Sequence, residues 1–172
     1  MFAWAGWSVL ALAGVLAQAT GVWLDVPFIR QAGGNGCAAA CAAMVLGYWN
    51  GAAVETTEPE LRRALAQEVD RPARAGDLAR ALEARGFRVF TFAGEMQDIE
   101  EHLAKGRPLV LGTRAGPRYH MVVAAGIDRS QGVLLVNDPA GRKLQKVDLS
   151  DFTRRWEATG RWTLLAVPRD AR

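Results

Sequence analysis

The chain of 172 residues contains two cysteines and two histidines, so few pairs of its side chains could carry out thiol chemistry. Both cysteines lie in "QAGGNGCAAACAAMVLGYWN", where Cys37 follows a glycine-rich loop and Cys41 comes one helical turn later. A cysteine in the first turn of a helix is stabilised as a thiolate by free backbone N–H groups and by the positive end of the helix dipole. We therefore predict that Cys37 is a nucleophile and that Cys41, on an apolar face, is a small buried hydrophobe.

A disulfide and half of a metal site are two other uses of this cysteine pair. A bridge between side chains one turn apart would close a very small loop in strained geometry. A zinc site would need further ligands, and neither His102 nor His120 forms a ligand pair with a cysteine in the sequence. The sequence accordingly predicts no metal and no organic cofactor.

A nucleophilic cysteine needs an imidazole base, and the imidazole needs an acceptor that orients it. His102 lies on a predicted surface helix, whereas His120 begins the predicted strand "YHMVVAAGID". The next predicted strand ends at Asn137 and Asp138, and a hairpin would bring that end beside His120. Because Pro139 holds Asp138 extended, we predict Asp138 as the orienting acceptor. Asn137 could take the same role, but it lies on the opposite face of the strand.

Acyl chemistry also requires hydrogen-bond donors for an oxyanion. The backbone N–H of Cys37 is one candidate donor. Gln31, six residues earlier, can return across the glycine loop and offer its side-chain amide. We therefore predict an oxyanion site formed by Gln31 and Cys37.

The elements that must position these residues follow a simple order along the chain. The run from Cys37 to Trp49 is apolar on every face and predicts a deeply buried helix. Helices followed by mostly antiparallel strands predict one α+β domain over residues 22–172. The other predicted helices are "TEPELRRALAQE" with Thr57 as N-cap, "DLARALEARG", "QDIEEHLAKG" and "DLSDFTRRWEATG", and the predicted strands are "FRVFTF", "PLVLGT", "YHMVVAAGID", "GVLLVNDP" and "RWTLLAVP".

The overall composition restricts the possible partners. Half of the residues are hydrophobic and the net charge is only +3, which is typical of a globular protein that can form a core. Arginines along the predicted helices alternate with acidic residues, and no basic run with interleaved aromatics occurs. The sequence therefore predicts no nucleic-acid binding.

Residues 1–21 differ in kind from the rest, because no charged residue precedes Asp25. The apolar run has the length of a signal peptide, and "AQA" at residues 17–19 fits a cleavage site. A retained membrane anchor and a buried N-terminal helix of the domain are the alternatives. We expect a signal peptide or a membrane anchor, and either would place the domain outside the cytoplasm.

Three blocks of the sequence together resemble the signature of the bacteriocin-processing, double-glycine-leader peptidases, which are papain-like cysteine peptidases. The blocks are "VPFIRQ" followed by "CAAACAAMVLGYWN", then "YHMVVAAGID", then "VLLVNDPAGRK". The resemblance implies a papain-like α+β fold with N-terminal helices packed on an antiparallel sheet, and a peptide or protein substrate. It implies that Cys37 is the nucleophile and His120 the base. It also implies that Asp138 orients the base and that Gln31 binds the oxyanion.

The sequence departs from this family pattern around the cysteine. Gly36 stands where the family usually has an acidic residue or asparagine, and Ala38 stands where it usually has glycine. Many family members are fused to an exporter with an ATPase, whereas the apolar leader of this chain suggests a stand-alone secreted or membrane-anchored relative. A separate export system is then one candidate partner.

The residues and the resemblance together predict a cysteine peptidase. Two alternatives use the same fold. One is a catalytically silent module that only binds peptides, and the other is an enzyme that acts on another amide or transfers the acyl group to an amine.

Overall fold

The computed structural model describes residues 21–51, 54–66 and 75–170 of the chain. Helices come mainly first in these ranges and strands mainly second. The helices are α1 (Cys37–Asn50), α2 (Val54–Ala66), α3 (Ala75–Glu83), α4 (Met96–Ala104) and α5 (Leu149–Glu157). The strands are β1 (Gly21–Trp23), β2 (Phe87–Ala93), β3 (Leu109–Ala115), β4 (Arg118–Asp128), β5 (Val133–Asn137), β6 (Gln145–Asp148) and β7 (Trp162–Pro168).

Within the described ranges, the strands form one antiparallel sheet in the order β2-β7-β3-β4-β5-β6, with β1 paired to the end of β4. Helices cover both faces of this sheet. One core lies between the sheet and α1, α2 and α3, and the other lies between the sheet and α4 and α5. Because both faces are covered, β4 is buried continuously from Met121 to Ile127 instead of alternating between buried and exposed residues.

Helix α1 is buried along most of its length. All residues from Ala38 to Gly47 are buried, as expected for a helix that is apolar on every face. The alanines of its first half have small side chains, which allow the helix to lie close to the sheet. The helix ends at Gly51, which adopts a left-handed conformation with φ of 60° and donates its N–H to the carbonyl of Gly47.

The α+β architecture predicted from the sequence is confirmed, and each predicted helix and strand is present. The predicted start of α2 was wrong, because the helix begins at Val54 and Pro59 lies inside it, so that Thr57 is not the N-cap. The sequence did not predict that α4 and α5 cover the second face of the sheet. It also missed the short strands β1 and β6, each of which has too few residues to show a clear periodicity.

The predicted leader, residues 1–21, lies outside the described residues except for Gly21. Gly21 is the first residue of β1 and pairs with Asp128. No helix in the described ranges is long and apolar enough to cross a bilayer. The assignment of a signal peptide or membrane anchor stays a prediction.

Met44 is fully buried in the core between α1 and the sheet. We expect Met44→Ala to lower the free energy of unfolding by about 2–4 kcal/mol, because the lost side chain leaves a cavity that the packed sheet cannot close. Urea unfolding followed by circular dichroism measures this change. Glu83→Ala, at the exposed end of α3, is the control and should change stability by less than about 0.5 kcal/mol. Equal losses in the two variants would contradict the role of α1 as a core helix.

Candidate active site

His120 and Asp138 meet at one end of the sheet. His120 is held in the β3–β4 ladder opposite Thr113, and Asp138 follows the last residue of β5. Strands β4 and β5 are antiparallel neighbours, so the start of one lies beside the end of the other. Nε2 of His120 lies 2.7 Å from Oδ1 of Asp138, and both side chains are about one-quarter exposed, at 24% and 22%.

The alternation of the strand decides which residue of the Asn137–Asp138 pair reaches the histidine. Val136 and Asp138 both line the cavity that borders His120, whereas Asn137 is fully buried and bonds other groups. Successive side chains of a strand point to opposite faces. The structure therefore brings Asp138 to His120 and keeps Asn137 away from it, as the sequence predicted.

The thiol of Cys37 hydrogen-bonds to His120, and this interaction lowers the pKa of the thiol. Because Nε2 of His120 is bonded to Asp138, Nδ1 is the ring nitrogen left for the thiol. Cys37 is the first residue of α1, and no side chain caps this end of the helix. Backbone groups of Met121 and Ala38 also hydrogen-bond the sulfur. The sulfur thus lies among donors that stabilise a thiolate.

These contacts shift the pKa values of the pair in opposite directions. Burial raises the pKa of the Cys37 thiol, but the hydrogen bonds from His120 and from the Met121 backbone outweigh burial, and the net pKa is lowered. Burial lowers the pKa of His120, but the hydrogen bonds to Asp138 and Cys37 outweigh it and raise the pKa to about 9. Each shift therefore favours the charged form of its group, which is the thiolate of Cys37 and the imidazolium of His120.

The other cysteine and the other histidine have different surroundings. Cys41 is a free thiol in the core, and burial raises its pKa well above the usual value. His102 lies on α4, where its ring contacts Phe92 and burial lowers its pKa. The described residues thus place one cysteine and one histidine together at the sheet end, and they are the pair selected from the sequence.

Gln31 lies on a segment that is tied to the Asp138 loop. Its backbone N–H donates to the carbonyl of Pro139 at 3.0 Å, and Arg30 donates to the carbonyl of Gly141 at 3.0 Å. The Gln31 amide donates to the carbonyl of Gly33 at 2.8 Å, which leaves its second amide proton available. Gln31 lines the same cavity as His120.

Asn137 has a role that the sequence did not reveal. Its side-chain Nδ2 donates to the carbonyls of Val26 and Pro27, at 3.1 and 3.3 Å, and its Oδ1 accepts from the backbone N–H of Leu144 at 2.9 Å. A buried asparagine that satisfies three backbone groups joins the chain before Gln31 to the loop after Asp138. Nothing in the pattern "VNDP" distinguishes such a clamp from a turn residue.

Gly36 accounts for the departure from the family pattern before the cysteine. It is buried, and a Cβ atom at this position would lie 2.7 Å from the carbonyl oxygen of Ala32. Any other residue would therefore push the loop away from the start of α1. The carbonyl of Gly36 accepts the N–H of Ala40 at 3.1 Å and begins the helix.

A cavity of about 330 Å³ opens beside the imidazole. Its wall includes His120, Asp138 and Gln31, but it does not include Cys37. The cavity therefore lies on the histidine side of the thiol, between the sheet end and α5.

The sequence model of the Peptidase C39-like family matches residues 23–164. A search of curated protein sequences found no significant match.

Several solved structures have the same fold. A protein described as a C39-like peptidase from Bacillus anthracis has a TM-score of 0.72 at 21% identity, covering 88% of this chain and 99% of that one. The peptidase domain of Streptococcus ComA, a bifunctional ABC transporter of a quorum-sensing pathway, has a TM-score of 0.68 at 18% identity, with coverages of 83% and 98%. A double-glycine-motif protease of an AMS/PCAT transporter, solved with a leader peptide, has a TM-score of 0.62 at 24% identity, with coverages of 86% and 94%. At these identities the likeness shows the fold, and the predicted papain-like α+β fold is confirmed.

We expect Cys37 to react with iodoacetamide at pH values below the usual range of a cysteine, because its pKa is lowered. His120→Ala should slow the reaction at neutral pH, since it removes the hydrogen bond and the charge that stabilise the thiolate. Mass spectrometry of each cysteine over a pH series measures both rates. Cys41, which is fully buried, is an internal control that should stay unlabelled in the folded protein. An identical pH profile with and without His120 would contradict the ion pair.

We expect Asn137→Ala to lower the free energy of unfolding by about 2–4 kcal/mol, because it leaves buried backbone groups without partners. Urea unfolding measures this loss, and hydrogen exchange should also accelerate in residues 24–31. Asn50→Ala, at the exposed end of α1, is the matched control and should change neither quantity. Unchanged exchange in residues 24–31 would show that Asn137 does not hold that segment.

Proposed function

Because this chain belongs to the Peptidase C39-like family, we propose that it is a cysteine peptidase with Cys37 as nucleophile, His120 as acid and base, and Asp138 as orienting acceptor. The hydrogen-bonded chain from Asp138 through His120 to Cys37 is the observation that carries this proposal. A module that only binds peptides does not need a thiol of lowered pKa beside an imidazole of raised pKa. The arrangement therefore favours an enzyme.

In the first half of the proposed reaction, the thiolate of Cys37 attacks the carbonyl carbon of a peptide bond, and the π electrons of the carbonyl move to its oxygen. The backbone N–H of Cys37 and the side-chain amide of Gln31 bind this oxyanion. The C–N bond then breaks, and the leaving amine takes the proton from Nδ1 of His120. The products of this half are a thioester on Cys37 and a free amine.

In the second half, the neutral His120 removes a proton from a water molecule, whose oxygen attacks the thioester carbon. The C–S bond breaks and releases the carboxylic product, which restores the thiolate of Cys37 and the imidazolium of His120. Throughout the cycle, the hydrogen bond from Nε2 to Asp138 keeps Nδ1 directed at the sulfur.

The relatives indicate which substrate class to propose. The AMS/PCAT protease was solved in complex with a leader peptide, and the ComA domain is part of an ABC transporter. By this likeness we propose a peptide or protein substrate and a separate export system as partner. The location outside the cytoplasm, predicted from residues 1–21, belongs to the same proposal.

Cleavage of a proteome-derived peptide library, read by mass spectrometry, tests the proposed activity. We expect Cys37→Ala to abolish cleavage without changing the circular dichroism spectrum. Gln31→Ala should lower kcat by about 10²–10³, the usual effect of removing one oxyanion donor. Cys41→Ala is the matched control and should retain activity, because Cys41 lies in the core.

The pH dependence of the same cleavage gives an internal check. Hydrolysis needs the proton on His120, so kcat/KM should fall as the pH rises through about 9. Alkylation of Cys37 needs only the thiolate and should not fall there. Hydrolysis by pure Cys37→Ala protein would overturn the proposal.

A further inference from the structure

The cavity beside His120 has an apolar floor, and its wall carries charged side chains. Its floor is formed by Val122, Val136 and Phe152, which are 5%, 2% and 2% exposed. Its volume of about 330 Å³ is at the small end of the range for ligand pockets. The cavity therefore has room for one or two side chains of a bound peptide, and its floor favours their apolar parts.

Two exposed arginines, Arg118 at the start of β4 and Arg155 on α5, belong to the cavity wall. Arg118 forms no ion pair with any residue that the structure describes. Arg155 is paired with Asp151, but Arg154 is paired with the same carboxylate. Two guanidinium groups thus share the Asp151 carboxylate, and Arg154 also interacts with Asp148. The positive charge without an ion-pair partner among the described residues at this side of the cavity is that of Arg118.

The cavity wall contains little negative charge to balance these arginines. Asp138 is its carboxylate, and Oδ1 of Asp138 already accepts hydrogen bonds from His120 at 2.7 Å and from the backbone N–H of Ala140 at 2.9 Å. The cavity therefore combines an apolar floor with guanidinium donors, and guanidinium groups are well suited to bind carboxylates.

We propose that this cavity is a specificity pocket for a carboxylate carried by the substrate segment that leaves with the amine. The inference rests on the proposed function, since His120 gives its proton to the leaving amine. The leaving segment must then pass the imidazole, and the cavity wall contains His120 but not Cys37. Either an Asp or Glu side chain or the free C-terminus of a short leaving segment supplies the carboxylate.

The peptide library tests this preference directly. In wild-type protein, we expect acidic residues or a chain end to be enriched after the cleaved bond. Arg118→Gln and Arg155→Gln should each reduce that enrichment by up to about fivefold, the range for a partly exposed ion pair. Arg88→Gln removes the same charge from an exposed position on β2, at the edge of the sheet opposite β6, so it should leave the enrichment unchanged. A synthetic library made with C-terminal amides separates the two sources, because it lacks only the carboxylates of the chain ends and keeps those of Asp and Glu.

A binding measurement separates failure of this inference from failure of the proposed activity. The dipeptide amides Glu-Leu-NH2 and Gln-Leu-NH2 mimic a leaving segment, and NMR titration of the full chain reports their binding through the resonances of Val136 and Phe152. We expect the glutamyl peptide to bind more tightly, with the difference lost in Arg118→Gln/Arg155→Gln and kept in Arg88→Gln. Equal affinity of the two peptides, or binding outside the cavity, would contradict the proposed carboxylate pocket even if the protein cleaves peptides. Selective binding of the glutamyl peptide without Cys37-dependent cleavage would support carboxylate binding in the cavity and contradict the proposed peptidase activity.

Discussion

The packing of α1 against β4 is the contact on which the candidate site depends. The helix buries ten consecutive residues from Ala38 to Gly47, and the strand that it meets is buried on both faces. Cys37 precedes the buried run and His120 precedes the buried part of β4, so the same packing that forms the core brings the thiol and the imidazole to one edge. A shift of either element would change the distance between sulfur and ring, which proton transfer requires to be short.

The remaining groups of the site are held by loops that are bonded to one another rather than by the core. Gln31 and Asp138 come from segments far apart in sequence, and the Gln31–Pro139 and Arg30–Gly141 hydrogen bonds join them. The buried side chain of Asn137 also connects the segment before Gln31 to the loop after Asp138. The orienting acceptor and the oxyanion donor are therefore parts of one connected loop structure, whose geometry is set by backbone hydrogen bonds.

The sequence predicted those parts of the fold in which the local pattern and the final environment agree. Helix α1 was predictable because a helix buried on all sides is apolar on all sides, and the pairing of His120 with Asp138 followed from strand alternation and one hairpin. Asn137 was not recognised as a clamp, because its partners Val26 and Pro27 are distant in sequence. Helix α2 starts earlier than the pattern predicts because Pro59 lies inside the helix, whereas a proline is more often found in the first turn. The cavity and its two arginines depend on how α5 lies over the sheet, which no local pattern encodes.

The pairing of β1 with β4 determines the direction from which the chain enters the domain. Gly21 lies opposite Asp128, at the end of β4 remote from His120. At about 3.3 Å per residue along a strand, these two ends of β4 are separated by roughly 25 Å. Anything that tethers the protein through the residues before Gly21 therefore joins it at the end of β4 away from the thiol. In a protein tethered there, the candidate site would lie roughly 25 Å along β4 from the residue at which the tether joins the domain.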